Sequence, residues 1–479
     1  MGHDYDLIIV GGGGGGITAA MLAHGLGKKV ALIDKKRFGG ECTWSGCVPS
    51  KSILHAAKMM WNARHPEHYG LSIHGEISVS GDHVMSSVQQ TIREIYEGEK
   101  PEAFEKLGIT AIENASVHFI DPHTIEVNGK TMRAGKFLIA TGSSPLVPPV
   151  PGLSSVPYYT NETIFTLATL PASLTIMGGG PIGIELAQAM NRLGVAVTVI
   201  EMAPSILIRE EAELSAMLAG ILKREGVTLL TGAKVLSVEN PENPTVVYEK
   251  DGKSDKTSAA ALLIAAGRKP NTEGLGLETI GLDHGHSGIA VDNYMRTSVK
   301  MIYAAGDVVG PYQFSHIANY QAIAATSNAL LPIRRSVNYD AVPWCTFTDP
   351  ELARSGLTEA EARDKFGSKI RIYRAEYSKL DRARTDRATE GLAKFVCHGN
   401  GKILGVHILG ERAGEVMHEA HAARTLGIPL YRLDKVIHTY PTYSELTRMA
   451  ARAAYIDRIS SNPFVRFIKL FRSKNETGS

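Results

Sequence analysis

Two of the four cysteines, Cys42 and Cys47, flank four residues in the run Gly39-Gly40-Glu41-Cys42-Thr43-Trp44-Ser45-Gly46-Cys47-Val48-Pro49-Ser50-Lys51. A C-x4-C pair that opens a helix is suited to reversible disulfide chemistry, because the positive end of the helix stabilises a thiolate at Cys47. Pro49 fits the first helical turn, where its missing N–H costs nothing. Zinc ligands come as closer pairs with a second cluster, and the sequence has none, so no metal is expected. The bland alternative is a pair of buried cysteines acting as small hydrophobes; Cys345 and Cys397, single and scattered, are read that way.

A redox pair needs a source of electrons, and two nucleotide-binding units surround it. The first is an apolar strand Leu7–Val10, the loop Gly11-x-Gly13-x-x-Gly16, a helix over Ile17–Leu26 and a second strand Val30–Ile33 ending in Asp34. Gly11 permits the tight turn, Gly13 lets backbone N–H groups approach a pyrophosphate, Gly16 allows close helix–strand packing, and Asp34 accepts from a ribose. The second repeats the design with Leu174–Met177, Gly178-x-Gly180-x-x-Gly183, a helix over Ile184–Leu193 and a strand Val197–Ile200 ending in Glu201. One unit can hold a flavin dinucleotide and the other a nicotinamide dinucleotide. A carboxylate at Glu201 accepts a ribose 2′-OH and repels a 2′-phosphate, which favours NADH over NADPH; Arg209 softens that preference. Lys136–Ser143 reads as a strand that closes the first unit on Thr141 and Gly142. Ala261–Ala265 leads to Gly267, and Met301–Asp307 delivers Asp307 toward a ribityl hydroxyl, with a plain helix N-cap as the alternative.

The bulk numbers agree with a globular, multi-domain chain. The chain has 479 residues, 44% of them hydrophobic, and 51 basic against 49 acidic side chains give a net charge of +2. That balance exerts no pull toward nucleic acid or membrane. The start reads as a strand rather than a signal peptide, and a reducing cytoplasmic setting is expected. Four prolines from Pro145 to Pro151 mark a crossover between domains. The expected organisation is residues 1–149 for the first part of an FAD-binding domain, 150–270 for an NAD(P)-binding domain, 271–338 for the second FAD part and 339–479 for a C-terminal interface domain. The fold class is α/β: two Rossmann-like dinucleotide-binding domains plus a C-terminal α+β dimerisation domain, whose strands are Ile370–Tyr377, Leu392–His398 and Ile403–Leu409. Pro66–His83 reads as a loop with a short strand and Val84–Gly108 as a solvated helix. The apolar and basic tail Asn462–Arg472 is expected to pack on the core or a partner, with docking on a protein or an anionic membrane as the alternative.

In their order along the chain these motifs resemble the class I pyridine nucleotide–disulfide oxidoreductases, the family of dihydrolipoamide dehydrogenase, glutathione reductase and mercuric reductase. Besides the two glycine loops and the cysteine run, the carriers are Ala140-Thr141-Gly142, Ala304-Ala305-Gly306-Asp307, Phe347-Thr348-Asp349-Pro350-Glu351 and Pro441-Thr442-x-Ser444-Glu445. The resemblance implies FAD in the first domain and NAD(P)H in the second, Cys47 as the thiolate against the flavin and Cys42 as the thiol that meets substrate. It also implies a Lys51–Glu185 pair beside the flavin, and a homodimer in which the C-terminal segment of one subunit completes the other's site. The departure lies in that segment. The family's disulfide reductases carry His directly before Pro-Thr, with a Glu five residues after it; here Glu445 is present, Tyr440 takes the histidine's place, and His438 stands two residues earlier. A tyrosine is a poor base at neutral pH but a usable proton donor. The expected activity is an FAD-dependent, NAD(H)-linked dithiol/disulfide oxidoreductase of dihydrolipoamide dehydrogenase type, acting on a small-molecule or protein-bound thiol. A Tyr in this region is similar to mercuric reductases, although the sequence has no C-terminal cysteine pair like theirs, so the alternatives are a mercuric-reductase-like enzyme using NADPH and a non-catalytic redox-sensing flavoprotein.

Overall fold

The computed structural model describes residues 3–463 and 465, apart from 76 and 341. The chain divides into two compact units, one made of Met1–Met60, Ser78–Met202 and Thr228–Tyr339, the other of Trp61–Ile77, Ala203–Val227 and the chain from Asp340 onward.

The first unit contains two parallel sheets. In the larger, Tyr5–Val10 lies between Val30–Ile33 and Lys130–Ile139, with Thr110–Ile112 beyond the former and Ile302–Ala304 beside the latter, all parallel. Thr124–Val127 and Val117–Asp121 add an antiparallel flap to the first half of Lys130–Ile139. Leu7 and Ile9 enter one apolar core, with Ala19, Ala20 and Ala23 of the helix Gly14–Gly25. Ile8 and Val10 enter another, with Phe119, Ile125 and Phe137. Alternate residues thus serve opposite faces, which is why the strand is apolar throughout. The smaller sheet has the order Thr228–Thr231, Ala196–Glu201, Ser173–Met177, Ala261–Ile264, again parallel. The two glycine loops are near copies. Gly11 has φ +112° and Gly178 φ +118°, and a Cβ on either would lie 2.2 Å or 2.3 Å from a carbonyl oxygen, of Ala140 and Ala265 respectively.

The second unit is built on a five-stranded antiparallel sheet in the order Pro343–Thr346, Glu351–Gly356, Ile403–Gly410, Leu392–His398, Ile370–Glu376. The helices Ala413–Thr425 and Glu445–Ser460 bury small residues, among them Ala420, Ala450 and Ala454, on a core that includes Phe395, Val406 and Ile408. The helix Ala212–Glu225 packs on the same sheet. Its leading residues are fixed by Lys394, a buried ammonium 2.7 Å from Glu211, 2.9 Å from Glu213 and 2.8 Å from Glu359. Trp344 Nε1 donates to Glu210, whose carboxyl burial pushes up to about 7. No helix among the described residues is long and apolar enough to cross a membrane. Residues 464 and 466–479, most of the apolar and basic tail, lie outside the described residues.

The fold class matches the sequence expectation, and the differences are local. The first helix starts at Gly14, not Ile17, because glycine offers no side chain to mark its own entry into a helix. The cysteine helix, expected from Val48 to about Ala63, is Cys47–Arg64, and Cys42 sits on a separate turn ahead of it, Gly40–Trp44. The helix expected over Val84–Gly108 is Gly81–Tyr96 followed by Pro101–Glu105, since Pro101 starts a new helix and disfavours helical backbone in the residue before it. It is not solvated all round; Met85, Val88 and Ile92 form a buried stripe. Between Pro66 and His83 there is a 3-10 turn, Pro66–Tyr69, and no strand among the described residues. The strand Lys136–Ser143 ends at Ile139, with Ser143–Pro145 a separate strand paired to Arg268–Pro270.

Candidate active site

Cys47 is the first residue of its helix, so its side chain stands where the N–H groups of the first turn are unpaired. In this structure both cysteines are thiols and they hydrogen-bond each other. That bond divides their acidities. Cys47 is lowered to about 6, first by the hydrogen bond from Cys42, then by Ser315 and the Lys51 charge, against a rise from burial. Cys42 is pushed up by giving that bond and by burial. Ser315 opens the helix Ser315–Leu330 and places Oγ 3.6 Å from Cys47 Sγ. Lys51, one turn beyond Cys47, donates to Glu185 Oε2 at 2.7 Å. Glu185 is buried on the helix Pro181–Arg192, the one launched by the second glycine loop, so this ion pair joins the two dinucleotide folds beside the sulfurs.

The residues of the first loop fit a dinucleotide. Gly13 caps the helix Gly14–Gly25 without any side-chain bond, which leaves first-turn N–H donors for an anion. A Cβ on Gly16 would lie 1.8 Å from Gly11 O, so helix and strand meet at glycine contact. Asp34 accepts from Gly12 N and Lys36 N, both at 2.6 Å, and is thereby held at the end of its strand; burial raises its carboxyl. Thr141 Oγ1 donates to Asn271 O at 2.7 Å, and Gly142 O accepts from Asn271 N at 3.0 Å. Asp307, also raised by burial, accepts from Ser143 Oγ at 2.6 Å. The second loop repeats the cradle. Gly180 caps Pro181–Arg192 with no side-chain bond and open space where a Cβ would be, Gly183 approaches Gly178 O, and Glu201 Oε2 accepts from Gly179 N at 2.6 Å. Gly267, at φ +134°, carries the turn after Ala261–Ile264 and accepts from Leu146 N at 2.9 Å. Arg209 lies with its guanidinium 5.3 Å from the Trp344 ring.

In the second unit Val436, Ile437, His438, Tyr440 and Glu445 line one groove of about 410 Å³. The histidine there is committed. His438 Nε2 lies 3.0 Å from both Glu419 oxygens and Nδ1 3.0 Å from Val436 O, with the side chain 5% exposed. Tyr440 is 65% exposed, and its hydroxyl donates to Asp381 Oδ2 at 2.8 Å. Glu445 opens Glu445–Ser460, is buried, and pairs with Arg448 of the next turn. His438, Tyr440 and Glu445 thus each hold a partner of their own: Glu419, Asp381 and Arg448.

Sequence reasoning missed the surroundings of Cys42. Glu41 accepts from Asn161 Nδ2 at 2.7 Å and receives both ends of the Arg268 guanidinium. Arg268 Nε donates to Ser143 Oγ at 2.9 Å. Ser315 and Asn161 belong to no motif, so nothing in the sequence signals them; Glu41, a carboxylate inside the cysteine run, is a local hint of a cation partner. Among the described residues no group of three or more His, Cys, Asp or Glu is placed to hold a metal.

Comparison with known proteins agrees with the geometry. The family model for pyridine nucleotide-disulphide oxidoreductases matches residues 5–329, and that for their dimerisation domain residues 342–451. The chain is 35% identical over 454 residues to mercuric reductase of Bacillus cereus, covering 94% of this chain and 71% of that protein. It is 33% identical over 469 residues to dihydrolipoyl dehydrogenase of Bacillus subtilis (strain 168), covering 95% and 98%. Among solved structures, the Cu(II) complex of the HOCl-induced flavoprotein disulfide reductase RclA from Escherichia coli superposes with a TM-score of 0.84 at 27% identity, over 95% of this chain and 100% of that one. With both glycine cradles, the paired cysteines and the C-terminal sheet each inside a matched region, the chain belongs to the class I pyridine nucleotide–disulphide oxidoreductases, a family of flavoproteins that bind FAD and a pyridine nucleotide.

Proposed function

We propose that this protein is an NADH-dependent reductase of a thiol-bearing or disulfide substrate, of dihydrolipoamide dehydrogenase type in architecture and running toward substrate reduction. The observation that carries the reading is the placement of Cys47 at the first position of its helix, 3.6 Å from Ser315 Oγ and one turn ahead of the Lys51–Glu185 pair, a setting that lowers Cys47 to about 6 and leaves Cys42 raised. Bound FAD supplies the two-electron carrier between nicotinamide and sulfur. The chain's own residues do the rest. Gly11, Gly13 and Gly16 with Asp34, Thr141, Gly142 and Asp307 hold the flavin dinucleotide, and Gly178, Gly180, Gly183, Gly267 and Glu201 hold the nicotinamide dinucleotide. Glu201 disfavours a 2′-phosphate, and Arg209, stacked on Trp344, is engaged elsewhere. That supports NADH over NADPH.

In the reduced pair Cys42 keeps the proton and Cys47 the charge. Cys42 first passes its proton to the Cys47 thiolate through the hydrogen bond between them and attacks a substrate disulfide as the thiolate: a bond forms from its sulfur to one substrate sulfur, the substrate S–S bond breaks, and the proton passes from Cys47 to the first substrate thiolate, which leaves as a thiol. Cys47 thiolate then attacks Cys42, closes the Cys42–Cys47 disulfide and expels the second substrate thiolate. That thiolate needs a proton. On the family resemblance it comes by way of the C-terminal segment of the other subunit, where Tyr440, 65% exposed, stands in the histidine's place while His438 is buried against Glu419. A tyrosine is protonated at neutral pH and a poor base, so it can hydrogen-bond a leaving thiolate but cannot take the proton of a dithiol, which favours reduction over dihydrolipoamide oxidation.

The same tyrosine supports a second reading, a metal-ion reductase of the kind that the mercuric reductase relatives are named for. A panel of lipoamide, dihydrolipoamide plus NAD, small disulfides and Hg(II), with NADH and NADPH, separates the two. The proposal expects disulfide reduction with NADH to exceed dihydrolipoamide oxidation, and Tyr440→His to raise the latter about tenfold or more. Turnover of Hg(II) alone, or no gain in Tyr440→His, overturns it.

A further inference from the structure

The turn that carries Cys42, Gly40–Trp44, is five residues long. A single helical turn does not hold itself together, so the position of Cys42 is set by what its neighbours' side chains grip. Three grips exist. Thr43 Oγ1 donates to Glu99 Oε2 at 2.8 Å. Trp44 Nε1 donates to Phe38 O at 2.8 Å, with the Arg37 guanidinium 4.2 Å from its ring and the Tyr96 ring 4.8 Å away. The third is Glu41, whose neighbour in the chain is Cys42 itself. It accepts from Asn161 Nδ2 at 2.7 Å and from the fork of Arg268, a side chain 11% exposed. Arg268 continues inward: Nε donates to Ser143 Oγ at 2.9 Å and lies 3.7 Å from Asp307 Oδ2, and Ser143 Oγ donates to Asp307 at 2.6 Å. One cation thus joins the residue next to the sulfur with the carboxylate assigned to the flavin.

We propose that Glu41 is a positioning residue for the redox pair: its ion pair with Arg268 holds Cys42 against Cys47 and thereby sets how strongly the disulfide is favoured over the dithiol. The grip lowers the freedom lost when the two sulfurs join, which favours the closed disulfide. Removing it therefore makes the pair easier to reduce. Glu41 faces Arg268, Asp307 and Glu162, the last paired with Lys36 at 3.1 Å. Burial raises its carboxyl to about 7 against the pull of Arg268, so the grip weakens as the pH falls through neutrality.

This inference rests on the reading of Cys42 and Cys47 as the redox pair. The test equilibrates the flavin-loaded protein anaerobically in reduced and oxidised dithiothreitol mixtures, then counts free thiols by maleimide mass shift. Glu41→Gln is expected to move the equilibrium about tenfold toward dithiol, about 30 mV for a two-electron couple. It is also expected to lack the inflection near pH 7 that wild type is expected to give, with Glu41→Asp restoring part of both. Flavin content and melting temperature are measured alongside, because a merely structural ion pair changes those and leaves the equilibrium alone. If Glu41→Gln fails to fold, Glu41→Asp and Asn161→Ser carry the test, each expected to shift the same way by a smaller factor. Variants within twofold of wild type overturn the inference. A wild-type pair that does not interconvert at all overturns the reading beneath it instead.

Discussion

At Cys47 three influences meet on one sulfur: the thiol of Cys42, the hydroxyl of Ser315 and the charge of Lys51. Each favours the thiolate, and burial opposes them. Alkylation of the reduced protein by iodoacetamide should therefore show Cys47 reacting with a midpoint near pH 6, the rate rising as the pH climbs through it. Replacing the cation by Lys51→Met should move that midpoint up by about one unit, a cost of about 1.4 kcal/mol to the charged form. Peptide mapping of the labelled cysteine checks both, and an unmoved midpoint would assign the acidity to Ser315 and Cys42 alone. Cys42 and Cys47 are legible in the sequence from their spacing at the start of a helix, and the resemblance supplies Lys51 and Glu185. Ser315 and Asn161 are not, because a single hydroxyl or amide far along the chain bears no local mark of what it will touch.

Elements are legible where one period runs uninterrupted. The strands Tyr5–Val10 and Ser173–Met177 and the helices after them follow from apolar runs and glycine loops, with boundaries off by a few residues. The Cys42 turn is not legible because five residues are too few to show a period, and Gly81–Tyr96 runs into Pro101–Glu105 because charges blur the break. The strand Ile403–Gly410 hides a further property. His407 is fully buried, its Nε2 lies 2.8 Å from Leu357 O, and Nδ1 has no partner. Burial lowers it to about 4, so the folded state stays neutral where an unfolded histidine, near 6.5, takes a proton. The unfolded chain then binds more protons as the pH drops from about 6.5 to 4, and stability falls over that window by up to about 3 kcal/mol. Glu210, raised to about 7, works in the opposite sense, because the folded state takes its proton first. Urea unfolding of wild type and His407→Gln at pH 7 and pH 4.5 isolates the histidine: the variant should lose less stability on acidification.

For the whole molecule the two matched family regions follow one another, residues 5–329 and then 342–451, and the second, a dimerisation domain, calls for a second copy. The exposed surface agrees. Ile437 is 96% exposed and Val436 45%, beside Tyr440, an apolar strip that a two-fold axis would bury twice. Burying one isoleucine contributes about 1.5–3 kcal/mol, so Ile437→Asp should weaken association at least about hundredfold. Light scattering at micromolar concentration should find monomers, and disulfide reductase activity should fall with them while flavin content holds. A variant that stays dimeric would move the interface elsewhere.

Residues 203–227 follow the second nucleotide strand in sequence yet belong to the unit of the C-terminal sheet, locked there by Lys394 and Trp344. Anyone hoping to transplant a different coenzyme preference as a cassette cut at 150 and 270 would sever that lock, strand a buried ammonium without its carboxylates and expose the apolar side of Ala212–Glu225. A workable exchange leaves 203–227 native and grafts only the stretches on either side.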